Sequence, residues 1–171
     1  MNQHRLAHVA IEPYQPADRS AIRSILEAIG WDEHYIVHFE QAAESFAGRD
    51  DTAVYLARLD TTRAGFLFVQ FYAWNRLSQI QGLAVDHAFH RRGVASALVA
   101  QAEIFARDRG SRGIYVDTPT ANTGGRRFYE AAGYQLGYIM PRYYEDALDG
   151  VTYQKFFAGP TAGGRSRPAT T

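Results

Sequence analysis

The stretch Leu83–Val99, "LAVDHAFHRRGVASALV", changes character in its middle. "LAVD" is apolar and branched, as a strand is, while "GVASALVAQAEIFA" repeats its apolar residues at three and four, as a helix does. A strand that runs through a short basic turn into an amphipathic helix belongs to a sheet with helices packed on its faces. The turn also has a chemistry. The first amides of a helix lack intrahelical partners and carry partial positive charge. Gly93 removes a side chain where a ligand would come close, and Arg91 and Arg92 add charge. "HRRGVA" therefore reads as a small phosphate nest or as an ordinary helix start with solvent-facing arginines. It is neither a P-loop, since "G-K-[ST]" is absent, nor a G-x-G-x-x-G dinucleotide loop.

The remaining pattern fits the same class. "LAHVAIEPY" reads as a strand and "PADRSAIRSILEAIG" as a helix whose stripe is Ala21, Ile22, Ile25, Leu26 and Ile29. A second helix covers "EHYIVHFEQAAESFAG". "TAVYLARL", "AGFLFVQFYAW" and "SQIQGLAVD" read as three strands separated by the turns "DTTR" and "NRL". The helix Gly93–Arg109 follows, with Val94, Ala97, Leu98, Ala102 and Phe105 as its buried stripe. Then come the strand "RGIYVDT", the short helix "ANTGGRRFYEAAG", and a closing pair, "YQLGYIMPRYY" and "GVTYQKFF". This order predicts a single α/β domain, a mixed sheet flanked by helices, over residues 1–158. The small, polar, Gly/Pro-rich 159–171 is expected to be a disordered tail.

With 171 residues, 46% hydrophobic and 21% charged, the chain has material for one full core. Lys+Arg and Asp+Glu are both 18, which gives no reason to expect nucleic-acid binding. The absence of cysteine excludes thiolate nucleophiles, disulfides and cysteine-ligated zinc. His34 and His38 stand four apart without an H-E-x-x-H pattern, so no metal site is expected. No window reaches the roughly 18 apolar residues of a membrane span, and the amino terminus lacks a signal-peptide pattern. A cytoplasmic protein without membrane partners is expected.

Two motifs together resemble the GCN5-related N-acetyltransferases. "HRRGVA" is similar to that family's Q/R-x-x-G-x-G/A turn after a strand often written "LAV", with Gly93 and Ala95 in the small positions and His90 departing from the usual first residue. "NTGGRRFYEAAGY" is similar to N-x-x-A-x-x-x-Y-x-x-x-G-F/Y, matched at Asn122, Tyr129, Gly133 and Tyr134, with Gly125 where alanine is common. The resemblance spans roughly residues 5 to 158. The terminal "MPRYYEDALDGVTYQKFF" further resembles the ribosomal-protein alanine acetyltransferases, whose "YY" precedes an acidic turn.

The resemblance implies a fold, the family's centrally splayed sheet, and a cofactor, acetyl-coenzyme A. Amides of Arg91, Arg92, Gly93, Val94 and Ala95 would hold its pyrophosphate, with His90 and Ser96 beside them. The backbone of Leu83, Ala84 and Val85 would pair with the pantetheine arm as an added strand. Asn122 belongs to the matching motif, and Arg126 would touch the adenosine phosphates or lie on solvated surface. Tyr129 would be the acid that protonates the departing sulfur; a core tyrosine is the bland alternative. Asp117, ending "GIYVD", would be the base; a loop-capping aspartate is its alternative. Acceptor-side candidates are Trp31, Tyr35, Tyr72, Gln79, Gln81 and Tyr143, with Tyr144 and the acids Glu145, Asp146 and Asp149 near the mouth. The expected reaction moves an acetyl group from acetyl-CoA to the primary amine of a small molecule by direct attack. An N-terminal peptide acceptor, aminoacyl-tRNA and a non-enzymatic coenzyme A-binding module are the competing readings. Relatives often dimerise, and an exposed aromatic strand would serve a homodimer.

Overall fold

The computed structural model describes residues 8–158. Its elements run β1 (Val9–Pro13), α1 (Arg19–Ala28), α2 (Glu33–Phe46), β2 (Thr52–Leu59), β3 (Thr62–Tyr72), β4 (Leu77–Val85), α3 (Val94–Asp108), β5 (Gly113–Pro119), α4 (Thr123–Ala131), β6 (Gln135–Glu145) and β7 (Leu148–Phe156). The order of strands and helices is the one the sequence predicts. The start of the expected first strand, Leu6 and Ala7, and the tail 159–171 lie outside the described residues.

The strands form one mixed sheet in the order β1-β2-β3-β4-β5-β7-β6. Every pair is antiparallel except β4–β5. The period-2 alternation of side chains separates two cores. In β2, Val54 and Leu56 face α1 and α2, while Ala57 and Leu59 face α3. In β3, Phe66 and Phe68 take the first face and Leu67 and Val69 the second. The α1 stripe buries Ile22, Ile25 and Leu26. In α3 the stripe is Val94, Leu98, Ala102 and Phe105 as expected, but Val99 and Ala106 are buried and Ala97 only half so. The strands β1 to β5 meet α3 over a wider arc than one narrow stripe, which the 3.6-residue period alone does not reveal.

Ion pairs tie the first helices together. Arg23 bridges Glu33 at 3.0 Å and the buried Glu40 at 2.8 Å, and Arg63 binds Asp18 at 3.0 Å and also Glu12. Among the described residues no helix is long and apolar enough to cross a membrane.

The feature that makes room for chemistry lies at the sheet's centre. β4 and β5 pair only from Leu77↔Gly113 to Ile80↔Val116. Beyond that they diverge: β4 stays on β3 as far as Val85, and β5 stays on β7 as far as Pro119. A bulge coincides with the parting. Phe68 pairs with Gly82 and Val69 with Ile80, which leaves Gln81 as the extra residue of β4.

Candidate active site

A cleft of about 1100 Å³ opens where β4 and β5 separate. Leu83 and Val85 line it from β4, and Val116, Asp117 and Thr118 from β5. The turn into α3 closes one end with His90, Arg91, Gly93, Val94, Ala95 and Ser96. This turn is sharply curled. Arg91 has φ +60° and Gly93 φ +80°, two left-handed residues just before the first helical turn. Such curling brings successive amides toward one point. Among the described residues, none of the amides of Arg91 to Ser96 donates a backbone hydrogen bond; the first bond of the helix is Ala97 N–H to Gly93 O at 3.0 Å. A Cβ on Gly93 would meet nothing within 4 Å, so the space above it is open. Free donors, positive helix-end potential and open space are what a diphosphate requires.

His90 donates from Nε2 to the Val85 carbonyl at 3.0 Å and so fastens the turn to the strand end. Of Arg92 only the free amide belongs to the turn's donors; its side chain does not line the cleft, the guanidinium lying 5.6 Å from the Phe89 ring centre. Ala84 points its side chain into the α1/α2 core, and the cleft meets β4 through its neighbours. Asn122 is the N-cap of α4: its Oδ1 accepts from Gly125 N–H at 3.0 Å, and its Nδ2 donates to Thr118 Oγ1 at 2.9 Å. It lines the cleft while holding α4 to the end of β5. Arg126 turns elsewhere, donating to the Thr120 carbonyl at 3.1 Å and the Tyr153 hydroxyl at 3.3 Å.

Tyr129 is 5% exposed and lines the cleft, packed edge-on against Tyr134 and Phe128. Its hydroxyl makes no hydrogen bond among the described residues and is not sealed from solvent. Burial, and secondarily the nearby Tyr144, push its phenol well above the ordinary value of 10. It is therefore a neutral donor at pH 7.

Asp117 lines the same cleft. The carboxylate accepts from Gln79 Nε2 at 3.1 Å, from the Tyr143 hydroxyl at 3.4 Å and from the Thr152 hydroxyl. No Lys, Arg or His among the described residues pairs with it. Burial and then Asp117 itself raise the Tyr143 phenol, which stays protonated and donates. Tyr72 and Gln79 reach the site through hydrogen bonds to one another and onward to Asp117.

Trp31, Tyr35 and Gln81 line the cleft directly. The Trp31 and Tyr35 rings meet edge-on at 5.7 Å, and both side chains are exposed. Tyr144 and Glu145, from the end of β6, stand on the lining too, whereas Asp149 accepts from Arg142 N–H inside the hairpin. Sequence reasoning missed Asp32, His38, Phe39, Phe128 and Thr152. Tyr35, His38 and Phe39 share one helical face by spacing, a signal that was present. The Thr152 contact depends on the register Asp117↔Thr152, which no local pattern shows.

A model of the acetyltransferase (GNAT) family matches residues 21–134, more than half of the chain and both motifs. The chain belongs to the GNAT acetyltransferases. The shape agrees. A candidate GNAT acetyltransferase from Desulfovibrio desulfuricans superposes with a TM-score of 0.79 at 21% identity, over 87% of this chain and 99% of that one. The ribosomal-protein-S18-alanine N-acetyltransferase of Escherichia coli gives 0.72 at 19%, over 92% and 100%. A candidate streptothricin acetyltransferase from Bacillus anthracis, solved with acetyl coenzyme A, gives 0.63 at 24%, over 67% and 68%. At these identities the likeness is one of fold. No curated protein matches the sequence. Coenzyme A, the ligand of the Bacillus anthracis structure, carries a diphosphate, and the open amides of the α3 turn have the chemistry to hold such a group.

Proposed function

We propose that this GNAT protein transfers the acetyl group of acetyl-CoA to the primary amine of a small molecule by direct attack, with Tyr129 as acid and Asp117 as base. The observation that carries the reading is the pairing within one cleft of a buried, unpartnered phenol and a carboxylate without a cationic partner. Acetyl-CoA is a substrate that supplies an activated thioester. The amides of Arg91 to Ser96 bind its diphosphate, and the unpaired edge of Leu83–Val85 takes the pantetheine amides.

An alkylamine is an ammonium ion near pH 7 and is no nucleophile until it loses a proton. Asp117 attracts that ammonium, because it has no cation of its own, and accepts the proton at Oδ1 or Oδ2, directly or through water. The nitrogen then bonds to the thioester carbon and the carbon–sulfur bond breaks. The Tyr129 hydroxyl gives its proton to the departing sulfur, and the second proton shed by the acylated nitrogen passes through water to restore the Tyr129 phenol, so that the proton on Asp117 is the one released to solvent. Positioned acids and bases of this kind contribute typically about 10²- to 10⁴-fold each. A chain without cysteine has no thiol for an acyl-enzyme, which agrees with direct transfer. The exposed rings of Trp31 and Tyr35 offer a flat apolar wall and cation–π contact to the amine's body.

A peptide amino terminus is the second reading. Its support is the placement of Tyr144 and Glu145 on the cleft, on the "YY" hairpin that resembles the alanine acetyltransferases. The test is calorimetry with acetyl-CoA, followed by thiol release against small amines, amino acids and amino-terminal peptides. Turnover with a small amine at a kcat/KM above that of every peptide supports the first reading; preference for a peptide overturns it in favour of the second. Absence of acetyl-CoA binding overturns both.

A further inference from the structure

Asp117 is the end of a chain of side-chain hydrogen bonds that crosses the sheet. Gln79 Nε2 donates to Asp117 Oδ2 at 3.1 Å, and Gln79 Oε1 accepts from the Tyr72 hydroxyl at 3.0 Å and the Tyr115 hydroxyl at 3.2 Å. Tyr72 in turn accepts from Gln81 Nε2 at 3.0 Å, and Gln81 Nε2 also donates to Gln70 Oε1 at 2.6 Å. The direction of each bond is dictated by Asp117. An ionised carboxylate only accepts, so Gln79 must present its NH₂ to it. Turning that amide over would set oxygen against oxygen and NH₂ against two phenols. With the amide fixed, both phenols must donate to its carbonyl, and Tyr72 must then accept from Gln81. Tyr115 is pushed up to about 12 by burial, which keeps it a donor.

We propose that Gln79 is the positioning residue of the transfer: it holds the Asp117 carboxylate as a proton acceptor toward the cleft and relays that polarity to Gln81. The proposal rests on the reading of Asp117 as the base. It also revises the expectation that Gln79 contacts substrate, because both ends of its amide are engaged within the protein. Gln81 commits both amide hydrogens to the chain, and its carbonyl oxygen, without a partner among the described residues, belongs to a residue that lines the cleft. That oxygen is the chain's second acceptor for an N–H of the incoming amine. Asp32 and Glu145 are the other carboxylates lining the cleft; the groups bonded to Asp117 or to its partner Gln79 are Tyr72 from β3, Gln79 from β4, Tyr115 from β5, Tyr143 from β6 and Thr152 from β7, with Tyr144 beside them, all uncharged. A charge introduced at position 79 would be the first one among them.

The test compares the full wild-type chain with Gln79→Glu and Gln79→Met. Glutamate still accepts from Tyr72 and Tyr115 but sets a like charge against Asp117. The acid limb of the kcat/KM–pH profile should move up by about one pH unit, an approximately tenfold loss at a fixed pH on that limb. Gln79→Met removes the bonds without adding charge and should lower kcat more than it raises KM. A Gln79→Glu profile that superimposes on the wild type, or falls equally at every pH, overturns the proposal. A second readout needs neither turnover nor a folded variant at position 79. The side-chain amide resonances of Gln79 in ¹⁵N-labelled wild type should shift on acidification, and Asp117→Asn should abolish that shift. Amide signals indifferent to both overturn the proposal even when no acceptor has been found. If Asp117→Asn keeps full turnover while the amide contact is present, it is the base assignment that fails, and Gln79 then positions a carboxylate of another role.

Discussion

Tyr129 meets two demands that usually conflict: it is packed among aromatic rings, and its hydroxyl is left without a partner on an open cleft. A purely structural tyrosine at 5% exposure would be expected to bond its hydroxyl, as Tyr153 does to Glu130 at 2.7 Å. Tyr129→Phe should therefore lower kcat about 10- to 100-fold and leave the acetyl-CoA Kd within about threefold; a parallel loss of both, in steady-state kinetics and calorimetry, would contradict the acid role. Residues of this kind were legible in the sequence because they sit at fixed offsets within a local motif. Gln79 was a candidate by its place on the central strand, but its bond to Asp117 and that of Thr152 were not legible, because they span separations of 38 and 35 residues and depend on strand register. Arg92 and Arg126 show the converse. Their charge is visible in the sequence, but the packing on Phe89 and the bonds to Thr120 and Tyr153 are not.

At the scale of elements, the turn between β4 and α3 carries the binding argument. Arg91 adopts a left-handed backbone despite its Cβ, a conformation that costs about 1–2 kcal/mol. That cost points to a turn selected for where it aims its amides. Gly93→Val would add the same strain and fill the open space above the helix end. Acetyl-CoA affinity should fall by about tenfold or more, through a backbone penalty of that size, while the melting temperature falls by only a few degrees. Calorimetry that returns the wild-type affinity would reject the nest. The junction was legible because strand, turn and helix follow one another without a gap. The bulge at Gln81 was not, since an extra residue in β4 is defined only by its pairing with β3.

For the whole molecule, the order of elements was legible in the residues and the splay of two parallel strands came from the family resemblance, while the insertion of β7 between β5 and β6 was read from neither. Antiparallel pairing of β6 with β7 satisfies the local hairpin whichever strand meets β5. Carboxylates paired with arginine give the molecule part of its pH dependence of stability. Arg63 and Arg58 hold the Glu12 carboxyl below its ordinary 4.5, and Arg23 does the same for Glu40. A carboxyl depressed in the folded state stabilises above its unfolded value and loses that contribution as pH falls through the folded value. The melting temperature should therefore decline as pH drops below about 4.5. Glu40→Gln should melt lower than wild type at pH 7 and show a shallower decline; an unchanged slope would remove Glu40 from the account.

The most direct measurement is a crystal structure of the chain with acetyl-CoA. The account predicts the diphosphate on the amides of Arg91 to Ser96, the pantetheine along Leu83–Val85, and the sulfur within hydrogen-bonding reach of the Tyr129 hydroxyl. Coenzyme seated elsewhere, or its sulfur remote from Tyr129 and Asp117, would contradict it.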